Sequence, residues 1–369
     1  MWRQVIALVV KELLVVLRNP KSRMVLIGPP LIQLIVFGYA ATYDLNHVPI
    51  AVHNLDRSAT SRDLVARFIG SPTFNLVAML DSDRRINELI DSRRVQMVLV
   101  IDPRFTQRLL KQEPAPVQVI VDGRNSNTAL LIIGYANTIL SEFALAWDAA
   151  HGNPVPPAVL EMRARYNPNL SSRWFIVPGI VAVLTQVVTL LVVGLSVARE
   201  RETGTFDQLL VTPLRQFDIL LGKGLPGLLI GVLEASVIIA AAVWWFDVPL
   251  RGGLLPLYLG LVLFVIAVTG VGMMISSLAV TQQQALLGAF LFMVPSIILS
   301  GFATPIENMP AWVRYLTLLN PMRYFLVVVR GVFLEGSSLS SLVPQYWPMA
   351  MIGVVTLAAA GWLFRRRAL

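Results

Sequence analysis

The sequence contains no cysteine and little charge, and the two shortages narrow what the chain can be. Without cysteine there is no disulfide framework, no thiolate metal site and no thiol nucleophile. Only 14% of residues are charged while 56% are hydrophobic, which is too apolar for an ordinary soluble domain. Histidine is scarce as well: His47, His53 and His151 lie far apart without metal-ligand spacing, so no metal site is expected. A G-x-x-x-x-G-K-[ST] phosphate loop is missing, because Gly222-Lys223-Gly224 lacks its spacing and its following Ser or Thr. No nucleophile elbow, zinc-protease helix or Rossmann glycine pattern is read either, so the sequence names no catalytic residue. The net charge of +8 is not gathered into a basic stripe with interleaved aromatics, which argues against nucleic acid as a partner.

What is present in quantity is long apolar runs. Met24 to Tyr43 holds no charge, and 20 residues make a helix about 30 Å long, enough to cross a bilayer. Trp174 to Ala198, Gly224 to Phe246 and Pro344 to Phe364 are of similar length, and Gly252 to Ile306 contains no charged residue at all, enough for two spans turning at Ala279 to Gln284. Met1 to Arg23 precedes them with apolar residues at helical spacing among Arg3, Lys11, Glu12 and Arg18, the pattern of an amphipathic helix lying in the membrane interface. Glu307 to Val343 is different. Its apolar halves are each too short to cross and are divided by Asn320-Pro321, so residues 303–343 read as two half-helices dipping into the membrane from outside. Short intervening segments carry 12 Lys/Arg on one face and 4 on the other, which places both termini in the cytoplasm, with residues 365–369 as a cytosolic tail. The expected fold is therefore a six-span, α-helical polytopic membrane protein.

Asp44 to Arg173 is soluble in composition, with 14 basic and 13 acidic residues. Short β-rich runs (Pro49 to Val52, Phe74 to Leu80, Val95 to Ile101, Val117 to Val121) alternate with polar-capped helical stretches, predicting an inserted extracytoplasmic α/β domain between spans 1 and 2. Asn125 to Trp147 reads as a long helix of that domain. Asp56, Asp63, Asp122 and Glu142 are expected to be caps and surface ion pairs rather than catalytic carboxylates.

Arg199 to Lys223 forms a cytosolic loop between the second and third spans, and Thr205 to Leu214 has the caps and apolar side of a short docking helix. Within it, Glu200, Glu202, Gly204, Thr205, Asp207, Leu209, Leu210, Thr212 and Pro213 spell E-x-E-x-G-T-x-D-x-L-L-x-T-P. This resembles the signature of ABC-2 type transporter permeases, and the likeness extends along the chain. Ala51 to Leu64, Asp122 to Asn127, Tyr166 to Gly179, Gly301 to Trp312 and Leu319 to Tyr324 are each similar to words of permeases with a large extracytoplasmic domain.

The resemblance implies an efflux-type permease subunit in the bacterial inner membrane that lacks its own motor. Its partners would be a separately encoded ABC ATPase holding ATP and magnesium, a second permease that is identical or homologous, membrane lipid and a periplasmic adaptor. The substrate would be drug-like or lipid-like. The ATPase-coupling residues carried over are Glu200, Arg201, Glu202, Gly204, Thr205, Phe206, Asp207, Leu209, Thr212 and Pro213. Read without the resemblance, a membrane sensor and an ion channel or ion-coupled carrier remain alternatives.

Two further sets of candidates come from the residues. Glu234 is the ionisable residue inside a span, about 16 Å beyond Lys223 at 1.5 Å per residue, and must face protein or a water-filled path. With Thr185, Gln186 and Thr189 of the second span it forms a candidate substrate path, either lining that path or, protonated or hydrogen-bonded, pairing with Thr185, Gln186 or Thr189 or with Glu234 of a second copy across a dimer. Pro305, Trp312, Asn320 and Pro321 form a candidate outer gate.

Overall fold

The computed structural model describes residues 2–18, 20–40, 45, 47–124, 126–152, 165–167, 171–205 and 216–368. They divide into two compact units, Met1–Thr42 with Ala164–Leu369, and Tyr43–Arg163. The chain is mostly helical, and five described helices are long and apolar enough to cross a membrane.

The first unit opens with α1 (Trp2–Arg18) and α2 (Pro20–Ala40), with Pro20 in the first turn of α2, where proline is tolerated, and Pro29 and Pro30 inside the helix. Helix α1 buries Val5, Leu8, Glu12 and Val16 along one side and exposes Ile6, Val10, Leu14 and Leu17 on the other. Both faces are apolar, which suits a helix lying between protein and lipid. The buried line also takes in a carboxylate, because Glu12 sits four residues from both Leu8 and Val16.

Helices α7 (Ser172–Glu202), α8 (Gln216–Trp244), α9 (Leu254–Leu278) and α10 (Gln282–Ile298) follow, and α13 (Leu339–Ala368) closes the bundle. Helix α8 begins at Gln216, eight residues ahead of the expected Gly224, and so draws Lys223 from the loop into the helix. Its glycines serve packing. A Cβ at Gly222 would meet Leu8 at 2.3 Å, at Gly227 Val193 at 2.1 Å, and at Gly231 the Thr189 hydroxyl at 2.4 Å, so α8 lies tight against α1 and α7. Gly222, Gly224 and Gly227 do fall at G-x-G-x-x-G spacing, contrary to the sequence reading, but they lie inside α8 and face α1, α9 and α7 respectively, so they serve packing and form no dinucleotide turn.

Between α10 and α13 come α11 (Ala311–Thr317) and α12 (Pro321–Arg330), bent by 79° at the Asn320-Pro321 break and continued by a π turn, Gly331–Glu335. Helix α12 is not peripheral. Its Met322, Phe325, Leu326, Val328 and Val329 lie in the same apolar core as α7, α8 and α9, and Phe325 stacks on Phe264 with ring centroids 4.6 Å apart.

The second unit is a four-stranded sheet of β1 (Val48–Asn54), β2 (Phe74–Met79), β3 (Met97–Ile101) and β4 (Val117–Val121) in the order β2-β1-β3-β4. Strand β1 pairs parallel to β2 and β3, and β4 pairs antiparallel to β3. The crossovers are α3 (Ala59–Gly70) and α4 (Arg84–Asp91), with α5 (Phe105–Leu110) before β4. Helix α6 (Ser126–His151) is apolar enough to pass for a span, yet its Ile132, Ala136 and Phe143 belong to the core of this sheet unit.

Asp63 and Asp122 form ion pairs, and Asp56 accepts from two hydroxyls. Asp56 accepts hydrogen bonds from Ser58 and, at 2.6 Å, Thr106, and Asp63 pairs with Arg67 at 3.3 Å. Arg124 donates to Asp122 at 2.7 Å, and these bonds hold the Asp122 carboxyl down at about 2.

Candidate functional site

The C-terminal end of α7 is where the charged motif meets the bundle. Lys223 is 1% exposed, and its ammonium lies 3.1 Å from Glu12 of α1 and 2.8 Å from Glu200 of α7. Lys11 reaches the other oxygen of Glu200 at 2.9 Å. Two cations and two anions thus make a neutral cluster across three helices, the arrangement in which buried charge is tolerated. Glu200, assigned from the motif to ATPase contact, faces inward into this cluster. Neighbouring motif residues grip the turn between α9 and α10: Arg201 Nη1 donates to the carbonyls of Ser277 at 2.8 Å and Ala279 at 3.1 Å, and Glu202 accepts from Gln282 N at 2.8 Å and Nε2 at 3.1 Å.

Gly204 ends α7. Its φ of +71° is the left-handed conformation, and the bonds from Thr205 N to Glu200 O at 3.0 Å and from Gly204 N to Arg201 O at 3.2 Å complete a Schellman cap. This explains a glycine in the motif: a side chain there meets no neighbour within 4 Å, but an L-residue in that conformation costs roughly 1–2 kcal/mol. Gly204→Val, being β-branched, is expected to redirect the chain leaving α7 and abolish driven transport at unchanged membrane level, whereas Gly204→Asn retains most activity. Wild-type transport by the valine variant would remove the cap from the account. Phe206, Asp207, Leu209, Thr212 and Pro213 lie outside the described residues.

Deeper in the bundle, Ser296 Oγ donates to Asn320 Oδ1 at 2.8 Å and lies 3.2 Å from Gln186 Oε1. Asn320 Nδ2 donates back to the Ser296 carbonyl at 2.7 Å, while Asn320 Oδ1 caps α12 by accepting from Met322 N at 3.1 Å. A residue expected in the path and one expected in the gate are therefore joined through α10. Ser296, one serine in an apolar run, gave no signal of this in the sequence. Pro321 is buried at the first turn of α12, whereas Pro305 and Trp312 are exposed and stand apart from this node.

Glu234 does not hydrogen-bond to Thr185, Gln186 or Thr189. Among the described residues both of its buried carboxylate oxygens lack a hydrogen-bond partner, as do Thr185 Oγ1, Thr189 Oγ1 and Gln186 Nε2. Thr189 packs against Gly231, nearly one turn before Glu234. The expected hydrogen bonds from Glu234 to these three side chains are thus absent among the described residues.

Apolar helices long enough to span a bilayer, bundled around buried polar nodes, define a polytopic membrane protein. Residues 21–362 match the profile of the family described as "ABC-2 family transporter protein", and the chain belongs to that family. It is similar to "Probable multidrug ABC transporter permease YbhR" of Escherichia coli (strain K12), 38% identical over 368 residues and covering 100% of both chains. "Probable multidrug ABC transporter permease YbhS" of the same strain is 32% identical over 342 residues, covering 91% of this chain and 90% of its own. "Inner membrane transport permease YhhJ", also of that strain, is 29% identical over 349 residues, covering 91% and 92%. The chain is a permease subunit of an ABC exporter.

Proposed function

We propose that the chain exports drug-like or lipid-like amphiphiles from the bacterial inner membrane, driven by ATP hydrolysed with magnesium on a separate ABC ATPase. The observation that carries this is the charged motif at the end of α7. Glu200, Arg201 and Glu202 tie the end of α7 to α1, α8 and the α9–α10 turn, so that a force applied to the segment after Gly204 moves four elements together. The multidrug names of YbhR and YbhS support the substrate class. In this reading α2, α7, α8, α9, α10 and α13 are six spans with both termini in the cytosol, and the sheet unit stands outside. A second permease completes the path, a periplasmic adaptor engages the sheet unit, and Pro305, Trp312, Asn320 and Pro321 gate the outer end. Purification of the tagged full chain from its native membrane is expected to bring an ABC ATPase with it; a chain that transports while isolated from any ATPase refutes the reading.

Glu234 has a defined role here: it lines the path and favours cationic substrates. A carboxylate facing lipid at midspan costs about 2.5–3.5 kcal/mol, and no partner within the described residues offsets that cost. Glu234→Gln is expected to reduce efflux of cationic dyes on the order of tenfold while leaving neutral dyes unchanged. Equal efflux of both classes at wild-type expression would end the path assignment.

A further inference from the structure

At the opposite end of α7 from Glu200 lies a cavity of about 430 Å³, the lower end of the range that holds small ligands. Two guanidinium groups, Arg323 and Arg330, and two carboxylates, Glu307 and Glu335, line it together with Phe175 and Val327. No ion pair joins these four charges to one another among the described residues. Arg323 donates instead to Thr317, and Glu335 accepts from Ser337 Oγ at 3.2 Å. Arg330 is the unusual one. Its guanidinium lies 3.8 Å over the Phe175 ring, and its buried Nε and Nη2 have no acceptor among the described residues. An aromatic face returns less than burying an unpaired cation costs, so the group calls for an anion beside it.

The π turn that follows bears on the same cavity. Such turns are rare and concentrate at functional sites. This one is held by backbone bonds from Arg251 N to Phe333 O at 3.1 Å and from Gly252 N to Val332 O at 2.8 Å, and it ends on Gly336 at a φ of +71°. It brings Glu335 to the cavity that Arg330 lines, so positive and negative groups border one space with apolar Phe175 and Val327 at its side.

We infer that this cavity binds a zwitterionic head, its phosphate or carboxylate beside Arg330 and its ammonium beside Glu335, with any attached apolar chain leaving past Phe175 and Val327. Phosphatidylethanolamine and a soluble phosphoethanolamine share this chemistry, and the test separates them. The full chain in detergent is titrated with dioleoylphosphatidylethanolamine, dioleoylphosphatidylglycerol and free glycerophosphoethanolamine, and retained ligand is read by native mass spectrometry. The wild type is expected to retain the ethanolamine lipid roughly tenfold better than the glycerol lipid. R330Q lowers that retention roughly tenfold, and E335Q abolishes the preference between the two lipids. Val327→Trp crowds the mouth from an exposed position with all four charges intact, and is expected to lose retention while folding normally. Competition by the free head identifies a soluble zwitterion as the ligand; retention of the lipid undisturbed by it identifies the lipid. Equal retention of the two lipids by the wild type, or undiminished retention in both R330Q and V327W, overturns the assignment.

Discussion

Lys223→Met is expected to lower the stability of the full chain by about 3–5 kcal/mol, the penalty for breaking a buried ion pair by removing one partner. The side chain it removes is fully buried between Glu12 and Glu200, and methionine leaves both carboxylates with Lys11 alone for compensation. Against a total stability of about 5–15 kcal/mol, that loss removes a large share of the folded population. The same reasoning predicts a rescue. Lys223→Met with Glu12→Leu deletes one cation and one anion, keeps the 2.9 Å Lys11–Glu200 pair and replaces a buried ion pair with apolar groups, a change that is often neutral. Denaturation of the purified chain in detergent should find the double variant close to wild type and the single variant far below. A single variant as stable as wild type would show that the cluster holds nothing together.

Asn320→Ala is expected to cost about 2 kcal/mol and to impair transport. The side chain caps α12, worth about 1 kcal/mol, and also bridges to Ser296, whose hydroxyl then loses a buried partner at a further cost of about 1–3 kcal/mol. Interhelical hydrogen bonds in membranes average only about 0.6 kcal/mol, which argues for the lower part of the summed range. Asn320→Ser separates the two effects, since serine caps a helix but is too short to reach Ser296. Midway stability for the serine variant is the expected result, and wild-type stability for alanine would dismiss the node.

The sequence showed some of this architecture plainly and hid the rest for physical reasons. Period-two and period-3.6 patterns with polar caps marked the strands and helices of the sheet unit to within a few residues, because a soluble domain must alternate its faces. The Asn320-Pro321 break was visible because proline cannot sit inside a helix without a penalty. The Lys11, Glu12, Glu200 and Lys223 cluster was not visible. Glu12 and Lys223 alone are 211 positions apart, and charged residues near an expected membrane surface read as solvated until α8 is seen to start at Gln216. Glu12 carried one faint signal, its place on the buried line of α1. Arg330 is one of the four basic residues in the short segments of the expected outer face, and only the packing of α12 shows its guanidinium over the Phe175 ring.

The central claim, that this permease moves its substrate only when a separate ABC ATPase hydrolyses ATP, is tested most directly in proteoliposomes holding the full chain with its co-purifying ATPase. Uptake of a fluorescent cationic dye into inside-out vesicles should require both proteins and magnesium-ATP, and should vanish when the ATPase phosphate-loop lysine is replaced. Dye uptake by the chain alone under an imposed proton gradient, unaffected by ATP, would contradict the account.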